Sequence, residues 1–308
     1  MDTIYLDNAA TSFPKPEGVS DRMKYYLDCV GANVNRSVYT AAQEAGMTTL
    51  ALRQRLAALF RFPEMPTHVI LTPGATAGLN MIISGLLHGG GHCIVSSMEH
   101  NAVMRPLLRL PGVEVSRIPC GSDGVADIDA LPGLFRPDTK LVIMAHASNV
   151  CGAVQDAAAV GRICGERGVP FALDAAQTAG HLPIDFQALG LAAMAVPGHK
   201  GLLGPGGVGA LLLRHDFAEK LTPLVAGGTG SASDSEYLPP YLPDRFESGT
   251  ANIPGYYGWE AALRFIGERG VDTLRQHEMA LCRRFLDGLE GIPHVRMVGP
   301  KALEHRVG

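Results

Sequence analysis

The sequence predicts an α/β protein built on a mostly parallel sheet. The middle of the chain alternates short apolar runs with segments of helical spacing, a pattern typical of consecutive β-α units. Of the 308 residues, 46% are hydrophobic, which is enough to bury a sizeable core in one large domain. We therefore expect seven strands in one sheet, flanked by helices.

Each strand candidate is a short apolar run, and each helix candidate has apolar residues at helical spacing. The strands are predicted at residues 69–72, 93–96, 113–118, 141–145, 171–174, 192–196 and 208–213. The helices are predicted at residues 43–60, 76–87, 102–110, 128–135 and 157–167. After Thr250 the pattern changes to two helices, 257–268 and 271–289, which predicts a domain boundary near Pro254.

Composition and charge favour small-molecule chemistry. The formal net charge is -4 and the basic residues are scattered, so neither nucleic acid nor an anionic membrane is an expected partner. The amino terminus has no basic segment followed by an apolar run, and no stretch approaches the roughly 20 apolar residues that span a bilayer, which predicts a cytoplasmic protein. The six cysteines include no Cys-x-x-Cys pair, so no metal site is predicted.

A lysine loop and an upstream aspartate carry the clearest chemical signal. Lys200 lies between His199 and the glycine-dense turn 201–209, where a phosphate-cradling loop and a plain turn between strands are both possible. Asp174 is the last residue of a predicted strand and has only apolar neighbours, so it needs a partner. A lysine and a carboxylate that pairs with a pyridine nitrogen are the groups that pyridoxal phosphate requires.

The loop 72–76 joins a predicted strand to a predicted helix. The free amides of Ala75 and Thr76, together with the helix dipole, would suit a phosphate. The alternative is an ordinary glycine turn in which Thr76 caps the helix.

Three further polar residues follow predicted strands, at the edge where ligands collect in such sheets. His100 would stack on an aromatic ring or relay a proton, or it is a solvated loop histidine. Asn149 would bond a phenolic oxygen, or it closes an Asx-turn. Gln177 would reach the same oxygen.

Seven motifs, in order along the chain, resemble those of the class V aminotransferase group of fold-type I pyridoxal-phosphate enzymes. The most similar branch is that of the cysteine desulfurases and selenocysteine lyases, and the resemblance runs from residue 4 to about residue 268. The motifs are YLDNAAT (5–11), GAT (74–76), EH (99–100), NVCG (149–152), DAAQ (174–177), GHK (198–200) and FESGTAN (246–252).

The resemblance implies a role for each residue that would touch pyridoxal 5'-phosphate. Lys200 would form the internal aldimine and act as the general base. Asp174 would pair with the pyridine nitrogen, and His100 would stack on the ring. Asn149 and Gln177 would bond the phenolic oxygen.

At the phosphate end the resemblance implies contacts from both subunits of a homodimer. Ala75, Thr76 and His199 would hold the phosphate, and Thr250 would reach the phosphate of the neighbouring subunit. The segment 35–37 resembles a family segment near the substrate entrance. The large cofactor-binding domain would span 15–254, with 1–14 and 255–308 forming an incomplete small α+β domain.

The chain departs from the family pattern in two places. Pro197 stands three residues before the lysine, where relatives have a serine that bonds the phosphate, so one hydrogen bond is lost or replaced. Relatives also continue beyond the position of Gly308 into a segment that carries the sulfur-accepting cysteine and a carboxylate-binding arginine. Cys151 is the nearest replacement by sequence, but its apolar neighbours would raise the pKa of its thiol.

The resemblance therefore implies an enzyme that takes sulfur from L-cysteine, or selenium from L-selenocysteine, and leaves L-alanine. The expected partners are a small amino-acid substrate, a second copy of the chain and a sulfur-acceptor protein. Two alternatives stay open at this stage. One is another class V reaction on a different amino acid, such as transamination, epimerisation or a lyase reaction. The other is a noncatalytic, truncated protein that binds the cofactor.

Overall fold

The computed structural model describes residues 4–34, 39–232 and 234–308. Its centre is one seven-stranded sheet with the order β1-β7-β6-β5-β4-β2-β3. The strands are β1 Val69–Thr72, β2 Gly91–Ser96, β3 Val113–Ile118, β4 Thr139–Ala145, β5 Phe171–Asp174, β6 Ala193–Pro197 and β7 Gly209–Leu213.

The sheet is mostly parallel, which confirms the predicted fold class. Strands β6, β5, β4, β2 and β3 form parallel pairs in that order. Only β7 is reversed, and it pairs antiparallel with both β1 and β6. The carboxyl ends of the other strands therefore meet at one edge of the sheet, where the amino end of β7 also lies.

Helices cover both faces of this sheet. Their bounds are α1 Val19–Tyr25, α2 Thr40–Leu59, α3 Ala75–Leu87, α4 Asn101–Arg109, α5 Ala157–Arg167, α6 His215–Ala218, α7 Ile253–Arg269 and α8 Val271–Glu290. A π-helical turn extends α1 over Tyr26–Val30, and 3-10 turns occupy Pro66–His68, Ile128–Leu134 and Leu303–His305.

Two buried clusters hold the layers together, one on each face. Leu56 of α2 and Trp259 of α7 belong to the first cluster, and Leu79 of α3 and Leu107 of α4 belong to the second. Because both faces are covered, β1, β5, β6 and β7 are buried along their whole length. Such strands are typically continuous apolar runs, which is why the sequence showed them clearly.

The predicted helix 128–135 is a 3-10 turn, and α1 and α6 were not predicted; the other elements differ from the predicted ones mainly at their ends. Strand β2 begins at Gly91 instead of 93, because the polar His92 is buried and paired with Thr139 and Ser116 on the two neighbouring strands. Helix α7 begins four residues before the predicted 257, since Pro254 occupies its first turn, where a missing N–H costs nothing.

Two further predictions concern the outer parts of the chain. The segment 35–37, predicted near the substrate entrance, lies outside the described residues. The division into 15–254 and the terminal segments stays a prediction. Within the described ranges, no helix combines the length and the apolar character that crossing a bilayer requires.

Candidate active site

A cavity of about 720 Å³ opens at the carboxyl edge of the sheet. The loops that follow β1, β2, β4, β5 and β6 line it, so residues far apart in sequence meet around one space. Eight of the nine predicted cofactor residues line it, namely Ala75, Thr76, His100, Asn149, Asp174, Gln177, His199 and Lys200.

Lys200 follows β6 by three residues and lies on the tight turn that leads to β7. The turn is closed by hydrogen bonds from Gly204 N to Gly198 O (2.7 Å) and from Leu203 N to Lys200 O (2.8 Å). Its Gly201 packs so closely that a Cβ there would lie 2.4 Å from Ala179 O. The backbone position from which the Lys200 side chain projects is therefore fixed.

The Lys200 side chain is half-buried and forms no salt bridge in the described part of the chain. Burial lowers the pKa of its ammonium, and the nearby Asp174 carboxylate opposes this in part. A lysine in such a place loses its proton more readily than a surface lysine. It is thus suited to act as a nucleophile and a base.

Asp174 is the last residue of β5 and is 4% exposed. Its Oδ1 accepts a hydrogen bond from Ala176 N at 2.9 Å. Burial raises the pKa of the carboxyl, against the Ala176 amide and the charges of His100 and Lys200, which lower it. A buried carboxylate that faces a cavity in this way would gain from a cationic partner inside it.

His100 caps the amino terminus of α4. Its Nδ1 accepts a hydrogen bond from Ala102 N at 3.0 Å, which leaves the proton of the neutral ring on Nε2. Because the backbone holds one ring nitrogen, the orientation of the imidazole at the cavity wall is fixed. His100 is nevertheless exposed, so its role toward a ligand ring stays a prediction beside the alternative of a solvated loop histidine.

Sequence reasoning missed the part played by Glu99, which precedes this histidine. Glu99 accepts hydrogen bonds from Ser96 Oγ (2.5 Å), Ser96 N (3.2 Å) and Ala145 N (3.0 and 3.1 Å). It therefore joins the ends of β2 and β4 directly beneath His100. Burial raises the pKa of its carboxyl to about 7. The only sequence signal was an acidic residue beside a histidine in a loop.

One end of the cavity is formed by the start of α3. Gly74 is the cap residue, so Thr76 is not the cap that the alternative reading required. The first helical amides that fold back onto Gly74 O are those of Ala77 and Gly78, which leaves the amides of Ala75 and Thr76 available to an anion. Pro197 lines the same cavity and is buried.

Asn149 and Gln177 complete the wall. Ser148, not Asn149, closes the turn, because Ser148 Oγ accepts hydrogen bonds from Val150 N and Cys151 N. The exposed Asn149 amide is thus available to a ligand, and the Asx-turn alternative is wrong. The Gln177 amide donates to Ala9 O at 3.3 Å.

Thr250 lies apart from the eight residues. It is exposed and lines a second cavity of about 590 Å³, which shares Pro73 and Gly207 with the first cavity. A role for Thr250 toward a neighbouring subunit stays a prediction.

Neither cysteines nor metal ligands converge on the cavity in the described ranges. All six cysteines are free, and none lines the cavity. Cys151 is buried, with its Sγ 3.7 Å from Asp123 O. No group of three or more histidine, cysteine, aspartate or glutamate side chains in residues 4–34, 39–232 and 234–308 is arranged to hold a metal ion.

The residues present fit pyridoxal phosphate. The buried Asp174 carboxylate and Lys200, whose pKa is lowered by burial, line the same cavity as the free amides at the start of α3. A fold of this kind with such a cavity defines the fold-type I class of pyridoxal-phosphate enzymes. The sequence profile of the family described as Aminotransferase class-V matches residues 4–308, and the chain belongs to that family. It is thus a PLP-dependent enzyme of the transferase type, as predicted.

Relatives with curated names are cysteine desulfurases. The chain is 33% identical over 307 residues to the cysteine desulfurase of Klebsiella pneumoniae subsp. pneumoniae, covering 96% of this chain and 75% of the relative. It is 32% identical over 300 residues to the probable cysteine desulfurase of Methanothermobacter thermautotrophicus, covering 94% and 74%. The chain thus spans about three quarters of the length of these relatives.

Solved structures agree. The apo structure of the cysteine desulfurase from Thermococcus onnurineus NA1 superposes with a TM-score of 0.91 at 30% identity, covering 99% of this chain and 77% of that one. The cysteine desulfurase CsdA from Escherichia coli gives a TM-score of 0.84 at 29% identity, covering 94% and 74%. The prediction of a fold-type I architecture is confirmed.

Proposed function

We propose that this chain binds pyridoxal 5'-phosphate through Lys200 and acts as a cysteine desulfurase. The reaction would convert L-cysteine and an acceptor thiol into L-alanine and a persulfide on the acceptor. The observation that carries the proposal is the convergence of Lys200, Asp174 and His100 on one cavity. Support comes from relatives named cysteine desulfurase at 32 and 33% identity.

The cofactor, when bound, withdraws electrons from the bonds at the substrate's α-carbon. Asp174 would hold the protonated pyridine nitrogen, because a buried carboxylate stabilises a cation beside it. His100 would lie against the ring, and Asn149 and Gln177 would bond its phenolic oxygen. The amides of Ala75 and Thr76 would hold the phosphate.

Lys200 is the residue that would move protons. Its depressed pKa favours the uncharged amine, which can take the proton from the substrate's α-carbon and return a proton when alanine forms. The C–S bond breaks and the sulfur passes to the thiol of an acceptor. Since none of the described cysteines lines the cavity, the acceptor thiol would come from outside the described residues.

We also propose that the chain forms a homodimer in which Thr250 reaches the phosphate bound by its partner. The exposure of Thr250, in a cavity that adjoins the first one, supports this arrangement. His199 would add a contact to the same phosphate. L-Selenocysteine would be accepted as the heavier analogue, because selenium forms the weaker bond to carbon.

The first experiment measures cofactor binding. Purified protein is titrated with pyridoxal 5'-phosphate, and the visible absorbance of the bound cofactor is recorded for wild type, Lys200→Ala and Lys220→Ala. Lys220 is an exposed lysine outside the cavity, so its variant is the matched control. We expect the band to be lost only in Lys200→Ala. A band that persists unchanged in Lys200→Ala would refute the role of Lys200.

The second experiment separates this function from another class V reaction. Loaded protein is incubated with L-cysteine, L-selenocysteine and a panel of other amino acids, with dithiothreitol as the acceptor thiol. Alanine together with sulfide or selenide supports the proposal. Keto acid without alanine would favour transamination, and binding without any product would favour a noncatalytic protein.

A further inference from the structure

The peptide that joins His199 to Lys200 is held from outside its own turn. Four hydrogen-bond donors of the amino-terminal segment converge on His199 O. They are Lys15 Nζ (2.9 Å), Ser12 N (3.0 Å), Ser12 Oγ (3.1 Å) and Thr11 Oγ1 (3.1 Å). The carbonyls on either side, Gly198 O and Lys200 O, are held within the turn.

The Lys15 ammonium is unusual because its hydrogen bonds go to uncharged oxygens. It donates to Ser12 Oγ at 2.7 Å as well as to His199 O. Among residues 4–34, 39–232 and 234–308 it forms no salt bridge with a carboxylate. Its side chain is partly buried, and burial lowers its pKa. The segment thus places an unneutralised charge one peptide away from the lysine of the site.

This charge acts on His199 too. Burial lowers the pKa of the His199 imidazole, and the charges of Lys200 and Lys15 lower it further. An uncharged imidazole would keep one N–H for an anion and would leave the positive charge of the cavity on the lysines.

We propose that Lys15 is a positioning residue for Lys200. It acts through the His199–Lys200 peptide, whose carbonyl it holds, so that the Lys200 side chain leaves its turn toward Asp174. Its ammonium, held on the carbonyl of His199, also adds a positive charge beside the His199 ring. The inference deepens the proposed function and rests on it, because the benefit is to the lysine that would bind the cofactor.

The test uses the full chain with Lys15→Met, which keeps the length of the side chain and removes the ammonium. The matched control is Lys24→Met, since the Lys24 side chain is 74% exposed and pairs with Asp28 outside the cavity. Two readouts are taken. One is the dissociation constant for pyridoxal 5'-phosphate, and the other is the pH titration of the His199 ring in the cofactor-free protein, followed by NMR and assigned with His199→Gln.

We expect Lys15→Met to bind pyridoxal 5'-phosphate about tenfold more weakly, the lower end of what a hydrogen bond to a charged group contributes, because three other donors remain on the carbonyl. The His199 ring should titrate at a higher pH than in wild type. Lys15→Arg should restore the His199 titration more fully than the affinity, because it returns the charge with a different shape. Lys24→Met should leave both readouts at wild-type values.

An unchanged dissociation constant in Lys15→Met would overturn the positioning role, whether or not the His199 titration changes. If that variant does not fold, Lys15→Gln makes the same comparison, because it keeps an N–H donor without the charge. Failure of the proposed function is distinguishable, since wild-type protein would then fail to bind the cofactor through Lys200. The His199 titration would still report on Lys15 in that case.

Discussion

The buried Glu99 carboxyl should make the free energy of unfolding of the cofactor-free protein depend on pH, and the substitution Glu99→Gln should remove that dependence. The carboxyl is buried between β2 and β4, and burial raises its pKa from 4.5 to about 7, helped by the neighbouring charge of Asp174. The substitution Glu99→Gln keeps the shape and a carbonyl acceptor for Ser96 while removing the titration.

The sign follows from proton linkage. Because the pKa is higher in the folded state, the folded protein holds more protons than the unfolded chain between pH 4.5 and about 7. The stability contributed by this group is therefore fully present below pH 4.5 and is lost as the pH rises to about 7. A shift of this size corresponds to about 3 kcal/mol over the window.

The assay is urea unfolding of the cofactor-free protein at a series of pH values between 4.5 and 8. The difference in free energy of unfolding, wild type minus Glu99→Gln, should fall by about 3 kcal/mol across that range. Glu166→Gln is the control, since the Glu166 side chain is 61% exposed. Parallel pH profiles for wild type and Glu99→Gln would refute the reasoning.

Two other predictions concern the free energy of unfolding at neutral pH. Arg53→Met should lower it by about 3 kcal/mol. The buried Arg53 donates hydrogen bonds from both terminal nitrogens to Glu247 at 2.7 Å, and without it the carboxylate keeps the Leu71 amide but no cationic partner. The double variant with Glu247→Gln should recover part of the loss, and a loss under 1 kcal/mol in the single variant would contradict this account. Gly161→Ala should lower it by about 2 kcal/mol, because a Cβ there would lie 2.0 Å from Leu189 O. A Cβ at Gly165 in the same helix would have no neighbour within 4 Å, so Gly165→Ala should raise the free energy of unfolding by about 0.5 kcal/mol. Equal effects of the two substitutions would show that the contact with Leu189 O is not responsible.

The sheet was readable from the sequence because most of its strands are apolar on both faces. In β2 and β4, polar residues lie at the amino end of the strand, and there the predicted strand began two residues late. His92 is buried only because Ser116 and Thr139 bond both nitrogens of its ring, and these partners lie 24 and 47 residues away. Helix α1 was missed for a related reason, since its cap is Gly18 without a side-chain hydrogen bond.

The residues of the candidate active site divide in the same way, into those with a local sequence signal and those whose role depends on distant contacts. The sequence assigned Lys200 and Asp174 to one site, which the cavity bears out for their positions, because a lysine in a glycine turn and a lone aspartate among apolar residues give a local signal. Lys15 and Glu99 were not identified, because their roles depend on a distant carbonyl and distant amides. Such contacts leave no local pattern, and only the folded chain brings the partners together.

The reversed strand β7 has a consequence for the order in which the chain can fold during synthesis. Strand β1 pairs only with β7, with Val69 opposite Leu212 and Thr72 opposite Gly209. On the ribosome, β1 therefore waits unpaired until β7 has emerged, although all five strands between them in sequence are already made. An apolar strand with free edges is a site for pairing with other chains. Emergence of residues 209–213 from the ribosome, and not of any helix, is the event that completes this sheet.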